Sequence, residues 1–147
     1  MTVRFRLAVV DDHPLVRRGI MESLSDEPAF DVVGEGTDAG QALEIARVLS
    51  PHLIYLDVNM PGGGGILAAT QIQLHAPQVI TAMFSFRQDL AIVRASLSAG
   101  ARGYIVKGVS GSEFVAITHR ILSGETVIDA EVGRRLAIDD ELHSQSG

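Results

Sequence analysis

The sequence predicts an α/β domain, a doubly wound five-stranded parallel sheet with helices on both faces. Three observations carry this prediction. Short apolar runs alternate five times with segments of helical periodicity. The third run, Leu53 to Leu56, is apolar throughout, as a parallel strand covered on both faces must be. The charged and hydroxyl residues that interrupt the pattern fall where the strands end. Crossovers between parallel strands of one sheet are right-handed, so a long series of them places helices on both sides.

The first unit pairs a strand at Phe5 to Val10 with a helix entered at Pro14. In that helix Leu15, Val16, Gly19, Ile20 and Leu24 recur at helical spacing, opposite Arg17, Arg18 and Glu22. The second pairs Phe30 to Val33 with Ala39 to Leu49, where Asp38 and Gln41 are spaced for a capping box and Pro51 is the stop. The third joins Leu53 to Leu56 to a helix at Ile66 to Leu74 through four glycines, 62 to 65. The fourth pairs Val79 to Phe84 with a helix near Asp89 to Ser98, followed by Gly100 for a left-handed exit. The fifth pairs Gly103 to Val106 with Phe114 to Leu122, started by Ser110 and Glu113 and ended by Gly124. The domain is therefore expected to occupy residues 1–124. Residues 125–147 form a linker or extension, with a short helix at Asp129 to Ile138 and an unstructured polar end, Asp139 to Gly147.

The bulk properties agree with one globular unit. The chain has 147 residues, 46% of them hydrophobic, and a net charge of -6. That balance argues against direct nucleic-acid binding by this segment, since phosphate neutralisation needs clustered Lys and Arg. No apolar run reaches the roughly 20 residues of a membrane span. Met1 to Arg6 is not followed by a signal-peptide h-region, so a cytoplasmic location is expected. With no cysteine, disulfides, thiolate metal sites and thiol catalysis are excluded.

Those strand assignments put Asp11 and Asp12 at the end of the first strand, Asp57 after the third, Ser85 after the fourth and Lys107 after the fifth. Ligands of open α/β sheets bind at carboxyl ends of strands where the winding reverses. The flavodoxin-like order 2-1-3-4-5 makes strands one and three neighbours there. Three carboxylates would converge, and their mutual repulsion calls for a hard cation such as Mg²⁺, with Lys107 completing the neutralisation. Such a set suits phosphoryl transfer to an aspartate. Asp57, after the most buried strand and before Met60-Pro61, is the natural nucleophile, and Asp11 and Asp12 suit metal.

Asp11-Asp12, Asp57 with Met60-Pro61, Ser85 and Lys107, in this order, resemble the response-regulator receiver domains of two-component systems. The resemblance covers about residues 5 to 123. It implies phosphorylation at Asp57 by a sensor histidine kinase, and a domain that signals rather than turning over a substrate, though able to assist its own phosphorylation and dephosphorylation. It also implies Mg²⁺ held by Asp12, Asp57 and the Asn59 carbonyl, with Asp11 acting through water. By the same resemblance Ser85 is the switch hydroxyl, Lys107 the phosphate-pairing lysine and Tyr104 an aromatic switch that rotates inward. Asp11-Asp12-His13-Pro14-Leu15-Val16-Arg17 and Gly100-Ala101-Arg102-Gly103-Tyr104 are similar to the NarL/FixJ (LuxR-type) branch. Its members carry a C-terminal helix-turn-helix, so DNA would be reached through a domain outside these residues. Homodimerisation is implied through the fourth helix, fifth strand and fifth helix, or through the first and fifth helices.

Two departures stand out. Gly64 replaces the family's usual acidic or amide residue, and the ordering cost of four glycines predicts an unusually mobile loop beside Asp57. Phe86 follows the switch hydroxyl, where a ring would narrow access to Asp57.

Taken alone, several of these residues have plainer readings. An acidic pair after a strand is commonly a helix cap, a lysine at a strand end is commonly solvated, and Tyr104 is a packing residue as readily as a switch. His13, His52, His75, His119 and His143 show no close ligand spacing and are assigned surface or packing roles. The glycine run lacks the Lys-Ser/Thr of a P-loop and reads as a turn. Three rival functions remain: an aspartyl-phosphate phosphohydrolase, which would carry Asp-x-Asp after strand one; a flavin binder, whose phosphate Asp11-Asp12 would repel; and a degenerate receiver that only binds protein partners.

Overall fold

The computed structural model describes residues 4–145. Residues 1–3 and 146–147, the latter the end of the predicted polar segment, lie outside that range. The first five units form as expected: β1 (Phe5–Val10), α1 (Pro14–Ser25), β2 (Phe30–Gly36), α2 (Ala39–Val48), β3 (Leu53–Asp57), α3 (Gly64–His75), β4 (Ile80–Ser85), α4 (Leu90–Ser98), β5 (Gly103–Val106) and α5 (Gly111–Leu122). All strand pairs are parallel.

Residue alternation along the strands sorts the core into two layers. Ala8, Val10, Ile54, Leu56 and Met83 face the side covered by α2, α3 and α4. Leu7, Val9, Leu53, Tyr55, Ala82, Phe84 and Ile105 face α1 and α5. All five residues of β3 are buried, and the Tyr55 hydroxyl meets Thr118 Oγ1 of α5 at 2.6 Å, so the strand leading to Asp57 is pinned from both faces. Asp38 caps α2 by accepting from the Gln41 amide at 2.8 Å. Gln41 in turn accepts from Thr37 N, one residue before the expected partner. Ser110 caps α5 through the Glu113 amide.

The C-terminal segment corrects the predicted architecture. The sheet has six strands in the order β2-β1-β3-β4-β5-β6, because β6 (Val127–Ile128) adds in parallel to β5. A long helix, α6 (Ala130–Gln145), follows and continues through most of the segment expected to be unstructured. Its start is held by the Asp129 carboxylate, which accepts from Val132 N at 3.1 Å. Val132 and Leu136, one turn apart, are buried in the same core layer as α4. Arg94 of α4 reaches Asp139 at 2.6 Å and Asp140 at 2.7 Å, and Arg135 donates to the Gln88 carbonyl at 2.6 Å. These exposed pairs add little individually, and the two buried side chains carry the docking. Leu136→Ala is therefore expected to lower the unfolding free energy by about 2 kcal/mol in urea denaturation, whereas a dangling tail would leave it unchanged. Among the described residues no helix is long and apolar enough to cross a membrane.

Candidate functional site

The order of the strands brings the singled-out residues to one edge. β1 lies beside β3, so Asp11 and Asp12 leave the sheet next to Asp57, and β4 and β5 deliver Ser85 and Lys107 on the other side. Lys107 Nζ sits 2.9 Å from Asp11 Oδ2 and 3.5 Å from Asp57 Oδ1, with its side chain only 4% exposed. A buried ammonium between two buried carboxylates is a paired charge, not a solvated strand-end lysine.

The acidic pair does not cap α1. His13 is the N-cap residue, and the Asp11 carboxylate accepts from the His13 amide, at 2.8 Å, in a tight turn that aims it at the cluster. Arg17 fastens the same turn by donating to the Asp11 carbonyl at 2.6 Å. Asp12 Oδ1 and Asp57 Oδ2 are buried without a hydrogen-bond partner. Asp11 Oδ2 also lacks an aligned hydrogen bond, although the Lys107 ammonium neighbours it. Asp57 Oδ1 accepts from the Asn59 amide at 3.3 Å, which bends the turn after β3 around the carboxylate. Burial raises the Asp57 pKa above the usual carboxylate range and the Asp11 charge adds to the effect, while Lys107 and the Asn59 amide oppose it. Orphaned carboxylate oxygens converging at one point are donors suited to a hard divalent cation.

Ser85 is fully buried, and its hydroxyl accepts from the Arg87 amide at 3.0 Å. Tyr104 is already turned inward, fully buried, and donates to the Arg87 carbonyl at 2.8 Å. An inward rotation from an exposed position is thus not the starting point of any switch in this conformation. Burial raises the Tyr104 pKa, partly offset by the neighbouring Ser85 hydroxyl. Phe86 points outward, 67% exposed, with its ring 5.2 Å from Lys107 Nζ.

Two expectations need correction. His13 lies at the surface as assigned, its side chain 59% exposed, but the reading that it has no close ligand spacing fails: Nδ1 is 3.1 Å from both Asp11 Oδ1 and Asp12 Oδ1 and 3.7 Å from Asp57 Oδ2, so it borders the acidic cluster. Its place directly after the acidic pair was the available signal. Of the four glycines beside Asp57, the last two are packed rather than loose chain. Gly64 and Gly65 form the first turn of α3, and a Cβ on them would overlap the carbonyl oxygens of Val58 and Asp57 respectively. The Gly65 amide donates to the Val58 carbonyl at 3.0 Å. Gly64 and Gly65 are thus a close-packed junction, whereas Gly62 and Gly63 form an exposed turn before it.

A doubly wound parallel sheet ending in three clustered aspartates and a buried lysine defines an aspartate-based signalling receiver, and the chain belongs to the response regulator receiver domain family, whose model matches residues 7–119. Its relatives are of the LuxR/NarL type. It is 38% identical over 133 residues to the response regulator protein VraR of Staphylococcus aureus, covering 90% of this chain and 62% of the relative. A two-component response regulator of the LuxR family from Aurantimonas sp. superposes with a TM-score of 0.88 at 31% identity, covering 93% of this chain and 98% of that one. RcsB, solved as two dimers bound to two parallel DNAs, superposes with a TM-score of 0.81 at 26% identity over 89% of this chain and 67% of that one. The chain thus spans about 62% of the length of the curated relatives it matches.

Proposed function

We propose that Asp57 accepts a phosphoryl group from a phosphohistidine of a sensor histidine kinase and that the domain changes conformation in response. The observation that carries this reading is the convergence of Asp11, Asp12 and Asp57 on Lys107, with buried carboxylate oxygens left unpaired. A carboxylate oxygen of Asp57 forms the new bond to phosphorus, the bond from phosphorus to the donor imidazole nitrogen breaks, and an acyl phosphate results. Asp12 and Asp57, with the Asn59 carbonyl, would hold Mg²⁺ directly, and Asp11, already engaged by Lys107 and the His13 amide, would act through water. When bound, Mg²⁺ supplies charge neutralisation for the phosphoryl oxygens. Lys107 neutralises the remaining charge from the opposite side. The same residues support slow self-phosphorylation from small donors and slow hydrolysis of the acyl phosphate. The exposed side chains of Leu15 and Phe86 flank a groove beside Lys107, between α1 and the loop after β5, that offers the kinase an apolar foothold.

The output runs through the loop after β4. A phosphoryl group adds roughly -1.5 to -2 of charge and new acceptor oxygens, so the Ser85 hydroxyl gains a partner that exists only in the modified state. Ser85 Oγ accepts from the Arg87 amide and has its own O–H to donate, so a movement of Ser85 toward the phosphoryl group would draw the loop after β4 with it. The Arg87 carbonyl holds Tyr104 and the Gln88 carbonyl holds Arg135 of α6, so a shift of this loop reaches both β5 and α6. The consequence is a changed α4/β5/α5 or α1/α5 surface for homodimerisation. In a longer protein of this branch it would also release a C-terminal helix-turn-helix onto DNA, in the cytoplasm, as a transcriptional regulator.

Incubation with Mg²⁺ and acetyl phosphate is expected to add one phosphoryl group by intact mass, mapping to Asp57. With beryllofluoride, hydrogen exchange should change across residues 85–108 and in α6. A change confined to the loops touching Asp57 would remove the switch but leave the phosphoacceptor. Absence of labelling would favour a domain that only binds partners.

A further inference from the structure

His13 has no part in the phosphoacceptor chemistry, yet its ring, on a side chain 59% exposed, brings Nδ1 to the rim of the site. As the N-cap residue of α1 its side chain makes no capping bond, and Nδ1 instead lies 3.1 Å from Asp11 Oδ1, 3.1 Å from Asp12 Oδ1 and 3.7 Å from Asp57 Oδ2. A single ring nitrogen carries at most one hydrogen and cannot satisfy three acceptors. Asp12 Oδ1 and Asp57 Oδ2 accordingly remain unpaired, the latter on a side chain only 2% exposed.

One ligand atom from each of Asp11, Asp12, His13 and Asp57 falls within a mutual 4.8 Å. Around a six-coordinate ion with bonds of about 2.1 Å, adjacent ligand atoms are about 3.0 Å apart and opposite ones about 4.2 Å. The three distances from Nδ1 fall between those values. Charge points the same way, because three carboxylates and the Lys107 ammonium leave two negative charges, which a divalent ion balances with the imidazole neutral.

We propose that His13 Nδ1 is a direct ligand of the divalent cation in this site, shifting its preference from Mg²⁺ toward borderline transition-metal ions such as Co²⁺. Oxygen ligands alone suit Mg²⁺, whereas an imidazole nitrogen contributes much more to Co²⁺ than to Mg²⁺. This rests on the reading that Asp12 and Asp57 hold a cation.

The test uses the metal-stripped chain at one fixed neutral pH. Calorimetric titration with Mg²⁺ and with Co²⁺ should show the ratio of Co²⁺ to Mg²⁺ affinity falling about tenfold or more in His13→Ala. Electron spin echo modulation of bound Mn²⁺ should show an imidazole nitrogen in the wild type and none in His13→Ala or Asp12→Ala. An unchanged affinity ratio, or no nitrogen modulation in the wild type, overturns the proposal while the acidic cation site stands. Tighter binding of both ions by His13→Ala at an unchanged ratio also overturns it, making His13 a counter-charge that the metal displaces. Absence of any cation binding by the wild type overturns both readings.

Discussion

Asp57→Asn is expected to gain no phosphoryl group from acetyl phosphate with Mg²⁺ and, at the same time, to resist denaturant better than the wild type. The first half follows from nucleophilicity, since an amide oxygen in the same place cannot form the acyl phosphate. The second half follows from burial. The Asp57 carboxylate is 2% exposed, one of its oxygens has no hydrogen bond and Asp11 repels it. Holding it there costs stability that a neutral amide does not lose, on the order of 1 kcal/mol or more.

The pH dependence has a definite sign. Because the folded pKa of Asp57 is raised, the native state binds its proton more tightly than the unfolded chain does. Its contribution is therefore most favourable below the unfolded carboxyl pKa, and that stability is lost as the pH rises through the raised folded value. The advantage of Asp57→Asn should be full above the raised folded value and shrink as the pH falls through it toward the ordinary carboxyl range of about 4. Urea unfolding of both proteins across that range measures the difference directly. A variant that is less stable at neutral pH would mean that Lys107 and the Asn59 amide outweigh desolvation. Labelling equal to wild type would remove Asp57 as the acceptor.

The features legible in the sequence were those encoded locally. β1 to β5 and α1 to α5 each carry their own periodicity and punctuation, and the residues at the strand ends follow once the strand order is assumed. β6 carried no such signal, because two residues at a sheet edge have no measurable alternation. The polar end of α6 is illegible in the sequence for a related reason. Asp139 and Asp140 look like solvated charges until Arg94, from another helix, is brought to them by the fold. His13 was judged against the other histidines, whereas its partners are the two aspartates before it and Asp57 from another strand. The tetraglycine was judged by chain entropy, an argument that holds only if nothing packs against the missing side chains.

Gly65→Ala is expected to destabilise the fold by about 3 kcal/mol or more and to slow labelling of Asp57 even where the protein remains folded. Alanine is the better helix former, so an open site would gain stability from this change. Here the added Cβ would overlap the Asp57 carbonyl oxygen and also press the Met83 sulfur. The carbonyl belongs to a strand buried on both faces and pinned by Tyr55 to α5, so it cannot yield, and α3 must move instead. Moving α3 weakens the bond from the Gly65 amide to the Val58 carbonyl and disturbs the turn whose Asn59 amide holds Asp57 Oδ1. Both packing and nucleophile placement suffer from a single methyl group. Ala68→Gly, one turn further along the same helix, removes a buried methyl without touching that turn. It should cost stability while leaving the labelling rate of the folded protein close to wild type. Urea denaturation and labelling time courses on both variants separate the effects. A Gly65→Ala protein as stable as the wild type would show that the glycine run is loose chain after all.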